Sequence, residues 1–107
     1  MFEETPADRP GGTTMVVGLL TFRLAIFEAM SLKDKRRVVK SLKDKLIQRH
    51  NISIAEIDDL DHRQAATIGV AMISNDARYV EGALSKIIDE VRAFPRASLL
   101  SSEIELV

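Results

Sequence analysis

The stretch Met15-Val-Val-Gly-Leu-Leu-Thr-Phe-Arg-Leu-Ala-Ile-Phe27 decides the fold prediction. Its even positions are apolar or small, which is the two-residue period of a β-strand. Most odd positions are also apolar, with Thr21 and Arg23 as the exceptions. Strands that are apolar on both faces are usually central in their sheet. We therefore predict a central strand over this stretch.

The segment after this strand predicts an α-helix from about Leu32 to Arg49. Ser31 stands where an N-cap residue belongs, and Asp34 three residues later nearly completes a capping box. Apolar residues then recur on one helical stripe, which we expect to face the sheet. The members of this stripe are Leu32, Val38, Val39, Leu42 and Leu46.

The rest of the chain predicts three more strands and a second helix. Two strands, at about residues 52–57 and 66–73, are joined by a short polar turn and are expected to form a hairpin. The helix follows at about residues 77–93, and the last strand at about residues 98–107. The order strand, helix, strand, strand, helix, strand is typical of a ferredoxin-like α+β domain, with a four-stranded antiparallel sheet and both helices on one face. Right-handed crossovers then place the first and third strands in the middle.

Two residues within these elements carry more specific expectations. Lys35 falls within the apolar stripe of the first helix, so we expect its stem to pack and its ammonium group to reach water past the end of the sheet. Gly69 lies inside the third strand, which predicts a bulge or the close approach of another group.

The opposite face of the predicted sheet has no helix to cover it. Its occupants, whichever register holds, are small and apolar: Val17, Leu19 or their even neighbours, with Ser53, Ala55, Thr67, Gly69 and Ala71. Because an uncovered apolar face seldom stays in contact with water, we expect a homodimer, a partner protein or a small ligand there. A charge placed at Leu19 or Val70 is then expected to change the oligomeric mass.

Composition limits the possible classes of protein. The 107 residues include no cysteine, which excludes disulfides, a thiolate nucleophile and cysteine-bound metals. Residues 1–14 predict a flexible tail, and residues 15–107 a single domain. No run reaches the roughly 18 to 20 apolar residues of a membrane span. The acidic opening lacks the basic start of a signal peptide, so we expect a cytoplasmic protein without a membrane partner.

The charges are strongly segregated along the chain. Between Ser31 and His50 stand eight bases and two acids, a local net charge of +6, while the remainder carries −7. Five of these bases share an arc of roughly 120° beside the apolar stripe. The sequence therefore predicts a nucleic-acid-binding site, with a merely solvated face as the alternative. The arc holds no aromatic residue, so we expect contacts to phosphate rather than to bases. Its members are Lys33, Arg36, Arg37, Lys40 and Lys43.

Three motifs in order along the chain carry a family resemblance. Met30-Ser-Leu-Lys-Asp-Lys-Arg-Arg37 follows a strand that opens Met15-Val16-Val17-Gly18, and Ser53-Ile-Ala-Glu-Ile-Asp58 and Ile73-Ser-Asn-Asp76 come later. Together they resemble the bacterial YlxP-like (DUF503) family, over about residues 15–107. The resemblance implies a small ferredoxin-like domain with no assigned enzymatic activity. It also implies a role near RNA or the ribosome, because genes of this family lie among those for transcription elongation, translation initiation and ribosome maturation.

We accordingly expect a non-enzymatic accessory protein without a cofactor, whose partner is ribosomal RNA or a ribosomal particle. Besides RNA binding and association through the open sheet face, a third hypothesis is a metal-assisted hydrolase. Its site would be the acidic turn that contains Asp58, Asp61 and His62. The spacing of this turn does not resemble a calcium loop, and no serine, threonine or cysteine is visibly paired with the histidine. We therefore predict no metal site and no catalytic residue.

Overall fold

Residues 14–107 are described by a computed structural model, so the tail predicted at residues 1–14 lies outside the described residues except for Thr14. Six elements follow one another in the order that the sequence predicts. They are β1 (Val16–Ala25), α1 (Leu32–Arg49), β2 (Ser53–Asp58), β3 (Ala65–Ser74), α2 (Ala77–Ala93) and β4 (Ser98–Leu106). The ferredoxin-like prediction is confirmed.

The four strands form one antiparallel sheet in the order β2-β3-β1-β4. The first and third strands are therefore central, as predicted. β1 pairs with β3 along its whole length, from Val16 opposite Ser74 to Ala25 opposite Ala65. The register shifts in the two edge ladders, beside Ile57 in β2 and between Arg23 and Leu24 where β1 meets β4. These irregularities lie towards the end of the sheet from which α1 starts.

The register decides which residues face the helices and which face outward. The even residues of β1 from Gly18 to Leu24 are buried under the helices, among them Leu20 and Phe22. Because paired residues share a face of the sheet, Val70 opposite Leu20 is also buried, with 3% of its surface exposed. The expectation that Val70 lies on the open face is therefore wrong. The open-face position is Ala71, which pairs with Leu19.

Both helices begin at side-chain caps, the first of them at the Ser31 that the sequence indicates. Ser31 Oγ accepts a hydrogen bond from the backbone of Asp34 at 3.1 Å, and the Asp34 carboxylate accepts one from Met30 N at 3.1 Å. Asp76 Oδ1 accepts hydrogen bonds from two backbone N–H groups in the first turn of α2. Within the residues that the structure describes, no helix combines the length and the apolar character needed to cross a membrane.

Two glycines mark close approaches within this framework. A Cβ atom at Gly18 would overlap Val80 Cγ1 and would lie 2.8 Å from Leu84 Cδ1, so α2 rests directly on the backbone of β1 at this point. A Cβ atom at Gly69 would lie 3.2 Å from Ile57 Cγ2. This contact confirms the close approach that was expected at Gly69.

We predict opposite effects for alanine at two glycines. Gly18→Ala should lower the free energy of unfolding by about 1 to 3 kcal/mol, because the added methyl group overpacks the contact with α2. Gly82→Ala should raise it by about 0.5 to 1 kcal/mol, because Gly82 is in α2 with nothing within 4 Å of an added Cβ. Urea unfolding measures both values, and equal effects would contradict the packing described here.

Candidate nucleic-acid interface

The five predicted site residues lie on the side of α1 that faces away from the sheet. Lys33, Arg36, Arg37 and Lys40 are exposed and Lys43 is half-buried. The buried stripe occupies the opposite side of the helix: Val38, Val39, Leu42 and Leu46, together with Lys35. At a rise of about 1.5 Å per residue, the cations extend over roughly 15 Å of helix. We call these five side chains the basic face.

Most of the basic face has no carboxylate of its own. Lys40 Nζ lies 2.7 Å from Asp44 Oδ2, one helical turn later, and both side chains are exposed. Exposed pairs of this kind contribute only about 0.3 to 0.5 kcal/mol, so an external anion can compete for Lys40. Across residues 14–107, no ion pair is formed by Lys33, Arg36, Arg37 or Lys43. The structure therefore brings together four cations that form no ion pair within residues 14–107.

The basic side chains at the end of α1 lie outside the basic face and contact α2. Arg49 Nη1 lies 3.4 Å from Glu90 Oε1, and His50 Nε2 lies 2.7 Å from Glu90 Oε2. Glu90 belongs to α2, so it ties the end of the first helix to the second. His50 is also the C-cap residue of α1 and the donor or acceptor of this inter-helix contact.

Lys35 contradicts the expectation that its ammonium group reaches water. The residue is completely buried. Its Nζ atom lies 2.7 Å from Glu56 Oε2 and donates to the carbonyl oxygens of Asp59 at 2.8 Å, Leu60 at 3.1 Å and Ala65 at 3.3 Å. A buried ammonium group is stable only when such acceptors replace its water. The side chain turns inward because β2, the start of β3 and the loop between them supply these acceptors.

Asp59 fixes the same loop from the open side of the sheet. It is the one non-glycine residue within the described range with a positive φ, 60°, a conformation that aspartate tolerates better than most residues. Its Oδ2 accepts hydrogen bonds from Thr67 Oγ1 at 2.6 Å and from Arg23 Nε at 3.2 Å. The bond from Thr67 and then that from Arg23 hold the pKa of the Asp59 carboxyl below its usual value. The carboxylate therefore stays charged and anchored at neutral pH.

Gln64 ties this loop to the one that leads into α1. Its backbone oxygen accepts a hydrogen bond from Ile26 N at 2.8 Å. Its side-chain amide donates to the carbonyl oxygens of Phe27 at 3.1 Å and Ala29 at 3.3 Å. The two loops thus form one hydrogen-bonded unit beside the start of the basic face.

The acidic turn does not form a metal centre. Within the described part of the chain, no three histidine, aspartate or glutamate side chains are placed to hold a metal ion together. Asp58 Oδ1 instead accepts a hydrogen bond from the backbone of Asp59, and His62 Nδ1 accepts one from the backbone of Gln64. These two side chains support the shape of the loop, and the hydrolase hypothesis has no ligand cluster there.

Sequence reasoning missed Arg96, which lies in the loop between α2 and β4. A depression of about 140 Å³ is lined by Arg37 and Arg96, with the acidic residues Glu28 and Asp34 on its walls. Arg96 therefore lies beside Arg37 of the basic face, in a depression whose lining holds two bases and two acids. The predicted topology could have indicated Arg96, because the loop after α2 lies at the same end of a ferredoxin-like sheet as the start of α1.

Comparison with known proteins places this architecture in a family. The family model for "Protein of unknown function (DUF503)" matches residues 17–104, most of the described range. The chain belongs to the DUF503 family. This DUF503 member is also similar to "Uncharacterized protein YlxP" of Bacillus subtilis (strain 168), with 30% identity over 80 residues that cover 75% of this chain and 87% of that protein. The resemblance found in the sequence motifs is confirmed.

One solved structure supports the fold of this DUF503 member. The de novo designed protein Foldit4 is 14% identical and has a TM-score of 0.51, with 87% of this chain and 96% of that chain covered. The designed protein Ferredog-Diesel is 11% identical with a TM-score of 0.45, over 98% of this chain and 97% of that chain. The likeness to Foldit4 concerns the fold alone.

Replacing the buried lysine should destabilise the domain. Lys35→Met keeps the apolar stem but leaves the Glu56 carboxylate and three carbonyl oxygens without their donor. We expect a loss of about 3 kcal/mol in the free energy of unfolding, measured by urea denaturation. Lys45→Met, at a half-buried base of α1 without an ion pair among the described residues, is the matched control and should change it by less than about 0.5 kcal/mol. A loss of equal size in both variants would contradict the role given to Lys35.

Proposed function

We propose that this DUF503 member is a non-enzymatic accessory protein that binds RNA, through contacts between phosphate groups and the basic face of α1. One observation carries the proposal: four exposed or half-exposed cations on one helix face have no carboxylate partner in residues 14–107. Intramolecular stability does not require this arrangement, since bases near a helix start oppose the helix dipole by a few tenths of a kcal/mol each. A bound polyanion gives them the missing partner.

The distribution of charge favours one orientation of the bound polyanion. The chain outside residues 31–50 carries a net charge of −7, so the basic face is the part of the domain that attracts phosphate and much of the remainder repels it. Ser31 already accepts a hydrogen bond from a backbone N–H group at the start of α1. The contacts to phosphate are therefore expected to come from side chains. Contacts of this kind hold a nucleic acid without reading its sequence.

Ribosomal RNA, free or within a ribosomal particle, is the proposed partner. The surface chemistry supports a phosphate backbone as the ligand class. The family resemblance points to RNA among the polyanions of the cell, because the genes of the family lie among those for translation initiation and ribosome maturation.

Reversing two charges of the basic face should weaken RNA binding. The double variant Arg36→Glu/Arg37→Glu leaves the Lys40–Asp44 pair intact and places acids in the half of α1 where the dipole accepts them. With about four phosphate contacts, the plot of log affinity against log salt concentration should have a slope of about −3 for the unchanged protein. The variant should bind more weakly at every salt concentration, with a slope nearer zero by about 1 to 2.

The matched control reverses two charges on the other helix. Arg78 and Lys86 of α2 are exposed, so Arg78→Glu/Lys86→Glu makes the same change in net charge. This control should keep both its RNA affinity and its sedimentation with ribosomal particles at low salt, whereas the α1 variant should lose both. Equal binding by the two variants would refute the assignment of RNA binding to α1.

A second proposed function is self-association through the open face of the sheet. Leu19, Ile57 and Ile73 are exposed there. A shallow depression of about 290 Å³, floored by small residues such as Gly69 and Ala71, lies between the strands. These features support a second copy of the chain as the occupant, because two such faces can bury their apolar side chains against each other.

Analytical ultracentrifugation tests this second proposal. Leu19→Glu should convert a dimer to a monomer and leave RNA affinity unchanged, because Leu19 lies on the opposite side of the sheet from α1. Tyr79→Glu places the same charge at an exposed position of α2 and should leave the mass unchanged. A monomeric mass for the unaltered protein at the highest concentration measured would exclude the dimer.

A further inference from the structure

An exposed aromatic ring lies in the loop that leads into the basic helix. Among the aromatic residues that the structure describes, Phe22 and Phe94 are buried, whereas Phe27 is 71% exposed. Phe27 follows β1 and comes four residues before the N-cap Ser31. The other exposed aromatic of the described range, Tyr79, lies in the first turn of α2, which follows the opposite end of β3.

The backbone that carries Phe27 is fixed on both sides. Its carbonyl oxygen accepts the hydrogen bond from Gln64 Nε2, and Ala29 N donates to Ile26 O at 3.1 Å to close the turn. Met30 N is bound by Asp34 in the first turn of α1. The ring therefore projects from an ordered loop that is bonded directly to the start of the basic face.

Other large apolar side chains are exposed on the same pair of loops. Met30 is 72% exposed and Leu60 is 53% exposed. Leu60 is held in place through the hydrogen bond from Lys35 Nζ to its carbonyl oxygen. These apolar side chains lie on loops that also carry the exposed acids Glu28, Asp58 and Asp61, so the cations nearest in the chain are those of the first turns of α1. Aromatic surface followed by cations is the combination that binds unpaired nucleotides.

We infer that the RNA bound by this protein is single-stranded, with an unpaired base stacked on Phe27 while the neighbouring phosphates contact Lys33, Arg36 and Arg37. The inference rests on the proposed function and names its ligand class. In a duplex the bases are stacked on one another and cannot reach the ring, whereas the bases of loops and ends can turn outward. The basic arc of the helix holds no aromatic residue, and for that reason the sequence predicted contacts to phosphate and none to bases. Phe27 lies just before the helix and adds a ring on which a base can stack.

Binding of fluorescein-labelled RNA, followed by fluorescence anisotropy, tests this inference. The probes are a 12-nucleotide oligouridylate, a 12-nucleotide oligoadenylate and a 12-base-pair RNA duplex. Phe27→Ala should weaken binding of the single strands by roughly fivefold to a hundredfold, in the range of a lost base–aromatic stack, and leave duplex binding unchanged. Phe27→Trp should retain the affinity for single strands, because its ring also stacks.

Tyr79→Ala is the matched control, since it removes an exposed aromatic ring away from the basic face. It should bind every probe as the unaltered protein does. Phe27 is exposed, so Phe27→Ala should unfold at the same temperature as the unaltered protein, which separates a lost contact from a damaged fold.

The possible failures are distinguishable. If Arg36→Glu/Arg37→Glu weakens binding and Phe27→Ala does not, RNA binding by the basic face stands and the stacking inference is overturned. Equal weakening of single-stranded and duplex RNA by Phe27→Ala also overturns it. If the unaltered protein binds none of the probes, the proposed function fails together with this inference.

Discussion

The ammonium group of Lys35 lies in the interior of the domain, where it joins α1 to the sheet edge and to the loop between β2 and β3. Its partners are the Glu56 carboxylate and three backbone carbonyl oxygens, all within 3.3 Å. A charge in this position cannot be left unpaired without a large loss of stability. The contact therefore holds α1 in the rotation about its axis that its buried stripe, Val38, Val39, Leu42 and Leu46, also favours. With Lys35 turned inward, the residues of the basic face point to solvent.

The same interaction organises one end of the molecule. Lys35 holds the β2–β3 loop, Asp59 anchors that loop to Arg23 and Thr67, and Gln64 binds it to the loop before α1. Phe27 is carried on this bonded unit, and Arg96 approaches it from the loop after α2. The candidate interface is thus assembled from three loops and a helix. The positions of the β2–β3 loop and the loop before α1 rest on hydrogen bonds that a short sequence motif does not reveal.

Local patterns were sufficient for the fold and for the orientation of the helix. The period of two in β1 and the helical spacing from Val38 to Leu46 predicted the elements, and α1 and α2 begin and end at the predicted residues. The basic face was predictable from helical spacing as well, because residues on one arc of a helix share a surface whatever the helix packs against. These features depend on neighbours within one or two turns of chain.

Features that depend on distant partners were not predictable in this way. The alternation of β3 left two registers open, and only pairing with β1 decided that Ala71 and not Val70 faces outward. Lys35 looked like a residue at the edge of the core, because nothing near it in sequence indicates that Glu56 and the β2–β3 loop would enclose it. Arg96 and Arg37 share a depression only after the sheet brings their loops together.

The most direct test of the central claim, that the basic face of α1 is the RNA-binding surface, is an NMR titration of the ¹⁵N-labelled protein with a short single-stranded RNA. Chemical-shift changes should concentrate at the backbone amides of residues 27–43 and grow smaller as salt is raised. The amides of the open sheet face, around Leu19 and Ala71, should keep their chemical shifts. Changes centred on that face, or no change at RNA concentrations well above those of the protein, would exclude RNA binding by the basic face.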